Sequence, residues 1–261
     1  MEEIKKRTIR GKEDKDERFF SSKEIERLRH AQEEVVWLLN RNYPISNIID
    51  FVGGRYQFST RQRMAIRRAS CSIKDLEVRR DKEISVSSLK GKTINIDAFN
   101  FIISLEVALS KGLLIKCMDG AIRDLAGLRG TYRLIDKTYG VLEILGKAFR
   151  SLELECVNFY IDAPVSNSGN LKAAIYEAAE KWEVNVNVDI VINPDVILEK
   201  SNYVVSSDSI ILEKSNFVVS SDSIILDKCD GWINLVSYII KEYIDNAWVI
   251  NLEKYNSEKR N

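Results

Sequence analysis

The sequence contains a single histidine, His30, and no surplus of either charge, since 39 basic and 39 acidic residues cancel. A lone histidine between Arg29 and Ala31, in a helix-like stretch, argues against a Ser-His-Asp triad, and GxSxG is absent as well. The four cysteines (Cys71, Cys117, Cys156, Cys229) are far apart and form no CxxC pair, so the paired ligands of a structural zinc site are missing. They read as reduced thiols of a cytosolic protein. Neither GxGxxG after a strand nor GxxxxGK[ST] occurs, which removes dinucleotide and P-loop sites. No apolar run approaches the ~20 residues that span a bilayer, and the charged first twenty residues contain no apolar core of a signal peptide. The expectation is a soluble, cytoplasmic protein with no membrane partner.

What is present is a core-forming 45% of hydrophobic residues and an uneven distribution of charge. Residues 1–80 carry most of the arginines, and a local basic region can hold a polyanion in a neutral chain. Residues 1–18 are almost all charged and predict a disordered tail. From residue 19 to 75 the pattern predicts a small domain of three helices. The first carries Ile25, Leu28, Ala31, Val35 and Leu38 on one face, the second ends at Gly53-Gly54, and the third follows Ser59-Thr60. Residues 76–92 are charged and serine-bearing and read as a linker.

From residue 93 to 250 short β-rich runs alternate with helical stretches: strands at 93–97, 113–119, 156–162 and 184–192, shorter ones at 203–206 and 217–220, and a final strand and helix within 232–249. This is the signature of an α/β domain with a mainly parallel sheet and helices on both faces. A tail, 251–261, follows. Within 198–225 a fourteen-residue segment is repeated in tandem, LEKSNYVVSSDSII then LEKSNFVVSSDSII, with Tyr203 against Phe217 the one difference. Two copies make no solenoid. The simplest reading is a duplication that leaves one copy surplus in a loop or as an extra sheet element.

Several candidate strands end in aspartate: Asp97, Asp119, Asp162, and Asp208 or its repeat equivalent Asp222. In an open parallel sheet, ligands meet the chain at the strands' carboxyl ends. Carboxylates gathered there need a cation, and Mg²⁺ or Mn²⁺ suits oxygen ligands. Asp124 is a further possible ligand. Each aspartate has a plainer role as a helix N-cap or surface charge. That plainer role suits Asp119 as well as ligation does, and suits Asp97 and Asp162 less, because they follow strongly apolar strands. Asp97-Ala98-Phe99 lacks the second aspartate of a phosphoaspartyl enzyme, which leaves metal-dependent phosphodiester chemistry. Arg55, Arg61, Arg63, Arg67 and Arg68, near Tyr56 and Phe58, form a candidate nucleic-acid handle. A solvated helix face explains those arginines equally well, and they do not distinguish RNA from DNA.

Ile96-Asp97-Ala98-Phe99-Asn100 resembles the opening strand of PIN-like and NYN-type nuclease domains. The segments WLLNRNYP (37–44), VGGRYQFSTRQRMAIRRASCS (52–72), MDGAIRDLAGLRGTYR (118–133), YIDAPVSNSG (160–169) and VVSSDSIIL resemble an archaeal family called domain of unknown function 434. In that family a short helical domain precedes a PIN-like one. The resemblance, over roughly residues 20–240, implies a ribonuclease-like metal site with Asp97 as first-strand ligand. Asp162 and one of Asp208 or Asp222 would be the later acids, with Asp119 or Asp124 as the remaining carboxylate. The acid such domains place on an early helix has Glu106 as its one nearby option. Two competitors are a catalytically inactive PIN-like module that binds nucleic acid, and a scaffold whose repeat offers an edge strand to protein partners. A homo-oligomer is left open.

Overall fold

A computed structural model describes residues 9–126, 131–205 and 230–253. The chain opens with a helical region: α1 (Asp16–Phe19), α2 (Ser22–Leu39), α3 (Ile45–Arg55), α4 (Thr60–Ala69) and α5 (Ile73–Lys82). The three expected helices are α2, α3 and α4. Helix α4 starts at a capping box: Ser59 Oγ accepts from Gln62 N while Gln62 Oε1 accepts from Ser59 N. Gly53-Gly54 does not end α3, which runs on to Arg55. A Cβ at Gly53 would lie 2.8 Å from Arg63 Cγ, so this glycine leaves room for the Arg63 side chain to cross.

The α/β part follows: β1 (Thr93–Asp97), α6 (Ala98–Leu109), β2 (Leu113–Lys116), β3 (Ile122–Asp124), α7 (Asp136–Ser151), β4 (Cys156–Asp162), α8 (Ser168–Ala179), β5 (Asn185–Val191), α9 (Pro194–Leu198), β6 (Val204–Val205), α10 (Leu235–Tyr243) and β7 (Trp248–Asn251). The strands form two sheets. One is wholly parallel with order β5-β4-β1-β6. The other has order β3-β2-β7, with β2–β7 parallel and β2–β3 antiparallel. The last two elements come as helix then strand, and β7 joins the second sheet.

Helix α6 lies between the two sheets. Ten of its twelve residues are buried, so it is apolar nearly all round and must be covered on every side. Ile94, Ile96, Val157, Phe159 and Ile161 of the parallel sheet share its core, as does Leu114 of the second sheet. The alternating residues Leu113, Ile115 and Cys117 point the other way, into a second core with Leu28, Val35, Ile66 and Ala69 of the helical region. The helical region therefore packs directly onto the α/β part through the second sheet. Helix α9 sits on the opposite face of the parallel sheet, where Leu198 packs with Val204 and Trp232.

Two expectations are corrected. Residues 73–82 form α5, with Leu76 and Arg79 buried, so the connection shrinks to residues 83–92 with a 3-10 turn at Val86–Ser88. A charged stretch need not be a linker, because Arg79 has a buried partner in Asp119. Likewise, the described part of the N-terminal tail is packed. Arg10 meets Glu106 of α6 at 2.6 Å, and a Cβ at Gly11 would lie 2.7 Å from Val107 Cγ2. Asp16, fully buried, accepts from Arg61 Nε at 2.8 Å and Nη2 at 3.0 Å. The first copy of the repeat supplies the end of α9 and β6, while 206–229, including the expected strand at 217–220, lies outside the described residues.

Arg61 also donates to Leu125 O and Gly11 O and pairs with Glu13, so one guanidinium ties the tail, α4 and the β3 loop together. Arg61→Met is expected to lower unfolding free energy by about 3–5 kcal/mol, the cost of leaving a buried charge without its partner. Adding Asp16→Asn to it should recover part of that loss. Urea midpoints measure both, and a loss below about 1 kcal/mol would refute the account.

Candidate active site at the carboxyl edge of the parallel sheet

In order along the chain, the parallel sheet is built β1, then β4 beside it, then β5 beyond, before β6 returns to the other flank of β1. Strand order thus reverses at β1, and in open parallel sheets the crevice at such a reversal is where ligands bind. Asp97 is the last residue of β1. It is 5% exposed and caps α6, accepting from Asn100 N at 3.4 Å and from Asn100 Nδ2 at 2.6 Å.

Asp162 is the last residue of the neighbouring β4. The register pairs Asp97 with Tyr160, so Asp162 lies two residues further along on the same face. Strand spacing and rise put the two Cα atoms about 8 Å apart. Behind Asp162 the chain folds back, with Ser168 Oγ donating to the Asp162 carbonyl at 2.8 Å. The edge therefore brings together the two aspartates given most weight by the sequence.

The face they share carries a polar row across β1, β4 and β5, which the sequence reading missed, with α9 and Val204 of β6 packed against its flank. Asn158 donates to Asn95 Oδ1 at 3.0 Å, and Asn187 donates to Asn158 Oδ1 at 2.9 Å. This asparagine row crosses β1, β4 and β5, and the next row holds Asp97, Tyr160 and Asp189. The signal was available: Asn95-Ile96-Asp97, Asn158-Phe159-Tyr160 and Asn187-Val188-Asp189 all alternate polar with apolar.

The other sequence candidates fall elsewhere. Asp119 belongs to the turn between β2 and β3, in the second sheet, and bonds Arg79 and Arg123. Asp124 accepts from Ser104 Oγ at 2.8 Å and Ala126 N at 2.7 Å. Ser104 is about 10 Å along α6 from Asp97, so Asp124 stands away from the edge. Glu106, further along still, is buried with Tyr132, Thr138 and Arg10, and burial pushes its carboxyl above the usual range. Asp208 and Asp222 lie outside the described residues, Asp208 three positions beyond the end of β6.

Among the arginines, Arg61 is buried as described, Arg68 bonds the Asp124 carbonyl, and Arg63 donates to Phe58 O at 3.0 Å. Arg67 is half-buried on the same helix. Arg55, its side chain 64% exposed, pairs with Glu34 at 3.1 Å. They do not share one open face, and α4 packs on the side of the second sheet turned away from the parallel sheet.

Among the described residues no group of three or more His, Cys, Asp or Glu side chains could share a metal ion. Asp97 and Asp162 are nonetheless hard oxygen donors, and Mg²⁺ is commonly held by one or two carboxylates while keeping several waters. The pair fits such an ion. Cys71 and Cys117 do not enter the site: burial pushes their thiols up to about 12 and about 11, which leaves them unreactive.

Residues 86–217 match the family described as a domain of unknown function (DUF5616), and residues 27–82 match a protein of unknown function (DUF434). The protein called Uncharacterized protein MJ0935, from Methanocaldococcus jannaschii, is 31% identical over 182 residues, covering 70% of this chain and 87% of that protein. The chain belongs to this DUF434–DUF5616 family. No solved structure matches it. No described helix is long and apolar enough to cross a membrane. The DUF5616 match contains Asp97 and Asp162, and the gap between the two matches falls where α5 ends.

One ion cluster links the two portions of this family member. Arg79 of α5 donates to Asp119 Oδ2 at 2.7 Å, and Arg123 of β3 donates to both carboxylate oxygens at 2.8 and 2.7 Å. All three side chains are almost fully buried. Burial by itself raises the Asp119 carboxyl. The guanidiniums of Arg123 and Arg79 outweigh it and hold the group at about 2.

A carboxyl depressed in the fold contributes stability above its unfolded value of 3.8, and that contribution is lost as pH falls from there towards 2. Asp119→Asn should destabilise the protein at neutral pH by about 3–5 kcal/mol, since two buried cations lose their anion. It should also flatten the loss of stability between pH 3.8 and 2. Urea unfolding of both proteins at a series of pH values tests this, and parallel curves would count against it.

Proposed function

We propose that this protein is a metal-dependent phosphodiesterase acting on nucleic acid, RNA in preference to DNA. The observation that carries the reading is the position of Asp97: a buried carboxylate closing β1 at the point of strand-order reversal, with Asp162 closing the adjacent strand. Asp97 and Asp162 would hold a Mg²⁺ or Mn²⁺ ion. Asn100, bonded to Asp97, would fix its rotamer. When bound, such an ion lowers the pKa of a coordinated water and stabilises charge on a phosphoryl group. The first-strand motif's likeness to PIN-like nucleases supports the same class. Asp208 or Asp222 is the source of a third carboxylate in this reading.

One observation favours a second reading, a catalytically silent nucleic-acid-binding module. Asp97 already has a structural duty as the cap of α6. The same experiment separates the two.

Asparagine caps helices about as well as aspartate, so Asp97→Asn removes the charge and keeps the cap. Millimolar Mn²⁺ should raise the melting temperature of the wild type through binding to the folded state. Asp97→Asn and Asp162→Asn should lose that response together with cleavage of labelled oligonucleotides, while melting within a few degrees of wild type without metal. If the wild type shows neither a metal response nor cleavage of single-stranded RNA or DNA, the enzymatic reading falls. Salt-sensitive binding that persists alone would favour the silent module.

A further inference from the structure

An open groove of about 640 Å³ lies between the loop at 132–134, the first turn of α7 and the face of α8, on the side of the parallel sheet that those helices cover. Its walls are Arg133, Leu134, Tyr139, Asn167, Asn170 and Glu177. Tyr139 is 57% exposed, projects from the first turn of α7, and has no hydrogen-bond or ring partner among the described residues. The Arg133 guanidinium is exposed and likewise has no described partner. An exposed aromatic ring and an uncommitted guanidinium on one groove are groups that the fold itself does not use.

Hydrogen bonds link the groove to the edge. Asn167, in the left-handed conformation at φ 65°, donates from Nδ2 to Tyr132 O at 2.6 Å, and Thr131 bridges to Ser166. Its neighbour Ser168 is the residue bonded to the Asp162 carbonyl. Arg10 donates to Arg133 O at 2.6 Å, which fixes the backbone from which that guanidinium extends. Asn170 bonds Asn167 at 3.1 Å and completes the floor.

We propose that this groove binds a single-stranded polynucleotide leading to or from the Asp97–Asp162 edge, with a base stacked on Tyr139 and a phosphate held by Arg133. A flat aromatic face accepts any base, and a guanidinium matches a phosphate through paired donors. The volume suits one nucleotide unit within the usual size of ligand sites. Glu177 on the α8 wall disfavours a phosphate there, so the backbone runs along the Arg133 side and the base points towards α8. The assignment rests on reading the sheet edge as a phosphodiesterase centre, and it replaces the α4 arginines as the substrate handle.

The test is fluorescence anisotropy of a labelled ten-nucleotide oligouridylate in EDTA, where no cleavage occurs, alongside cleavage in Mn²⁺. Tyr139→Ala and Arg133→Ala should each weaken binding about 10-fold, in keeping with the loss of one stacked base or one charged phosphate contact. Tyr139→Phe should bind as the wild type does. Both alanine sites are exposed, so melting temperatures should be unchanged. Asp97→Asn should bind normally and fail only in cleavage. Wild-type affinity in both alanine variants would overturn the groove even if cleavage is intact. Weakened binding in them without any metal response would keep the groove and discard the enzyme.

Discussion

Helix α6 is apolar on nearly every side, and the architecture answers that constraint. Its sequence, AFNFIISLEVAL, leaves two of twelve residues unburied. A single sheet covers one side of a helix, so α6 also needs α7, α10 and the second sheet around it. The β3-β2-β7 sheet covers the other side, and its own outer face, Leu113, Ile115 and Cys117, then needs the helical region. The residue that begins this helix is Asp97. A helix gripped from two sides gives its first turn little freedom, and the cap inherits that fixity. The candidate site is therefore positioned by the most completely buried of the described helices.

Polar groups that enter this interior come with partners. Ser104 and Glu106, both on α6, are met by Asp124, and by Tyr132, Thr138 and Arg10. Asp16 is met by Arg61, and Asp119 by two arginines. Carboxylates so placed, each against an arginine or a hydroxyl of another element, tie the interior together. Asp97 and Asp162 differ in place: they stand at the ends of strands, on a polar face, at the reversal of strand order. This contrast separates them from the other acids more clearly than burial does.

Much of the order of elements was legible in the residues. The three helices from Ser22 to Ala69, the alternation after Thr93, and the strands that end at Asp97 and Asp162 all follow from period and punctuation. The asparagine row was legible too, in the alternation of β1, β4 and β5, but runs of Val, Ile and Phe read as buried strands mask a face that is half polar. Arg61, Arg68 and Arg79 misled, because a charged side chain in a helix looks the same whether its partner is water or a distant carboxylate. Forty-five residues separate Arg61 from Asp16, and nothing local records that pairing.

By itself the sequence determined the class of fold, the likeness to the domain of unknown function 434, and the two acids that close β1 and β4, because motif, periodicity and turn chemistry are local properties. Only the tertiary structure decided that the strands divide between two sheets, that Asp119 and Asp124 serve the interior, and that Asp97 and Asp162 are neighbours. Sheet membership depends on which strands pair across long stretches of chain. That choice is made by burying α6 on all its sides, a condition the whole molecule meets together.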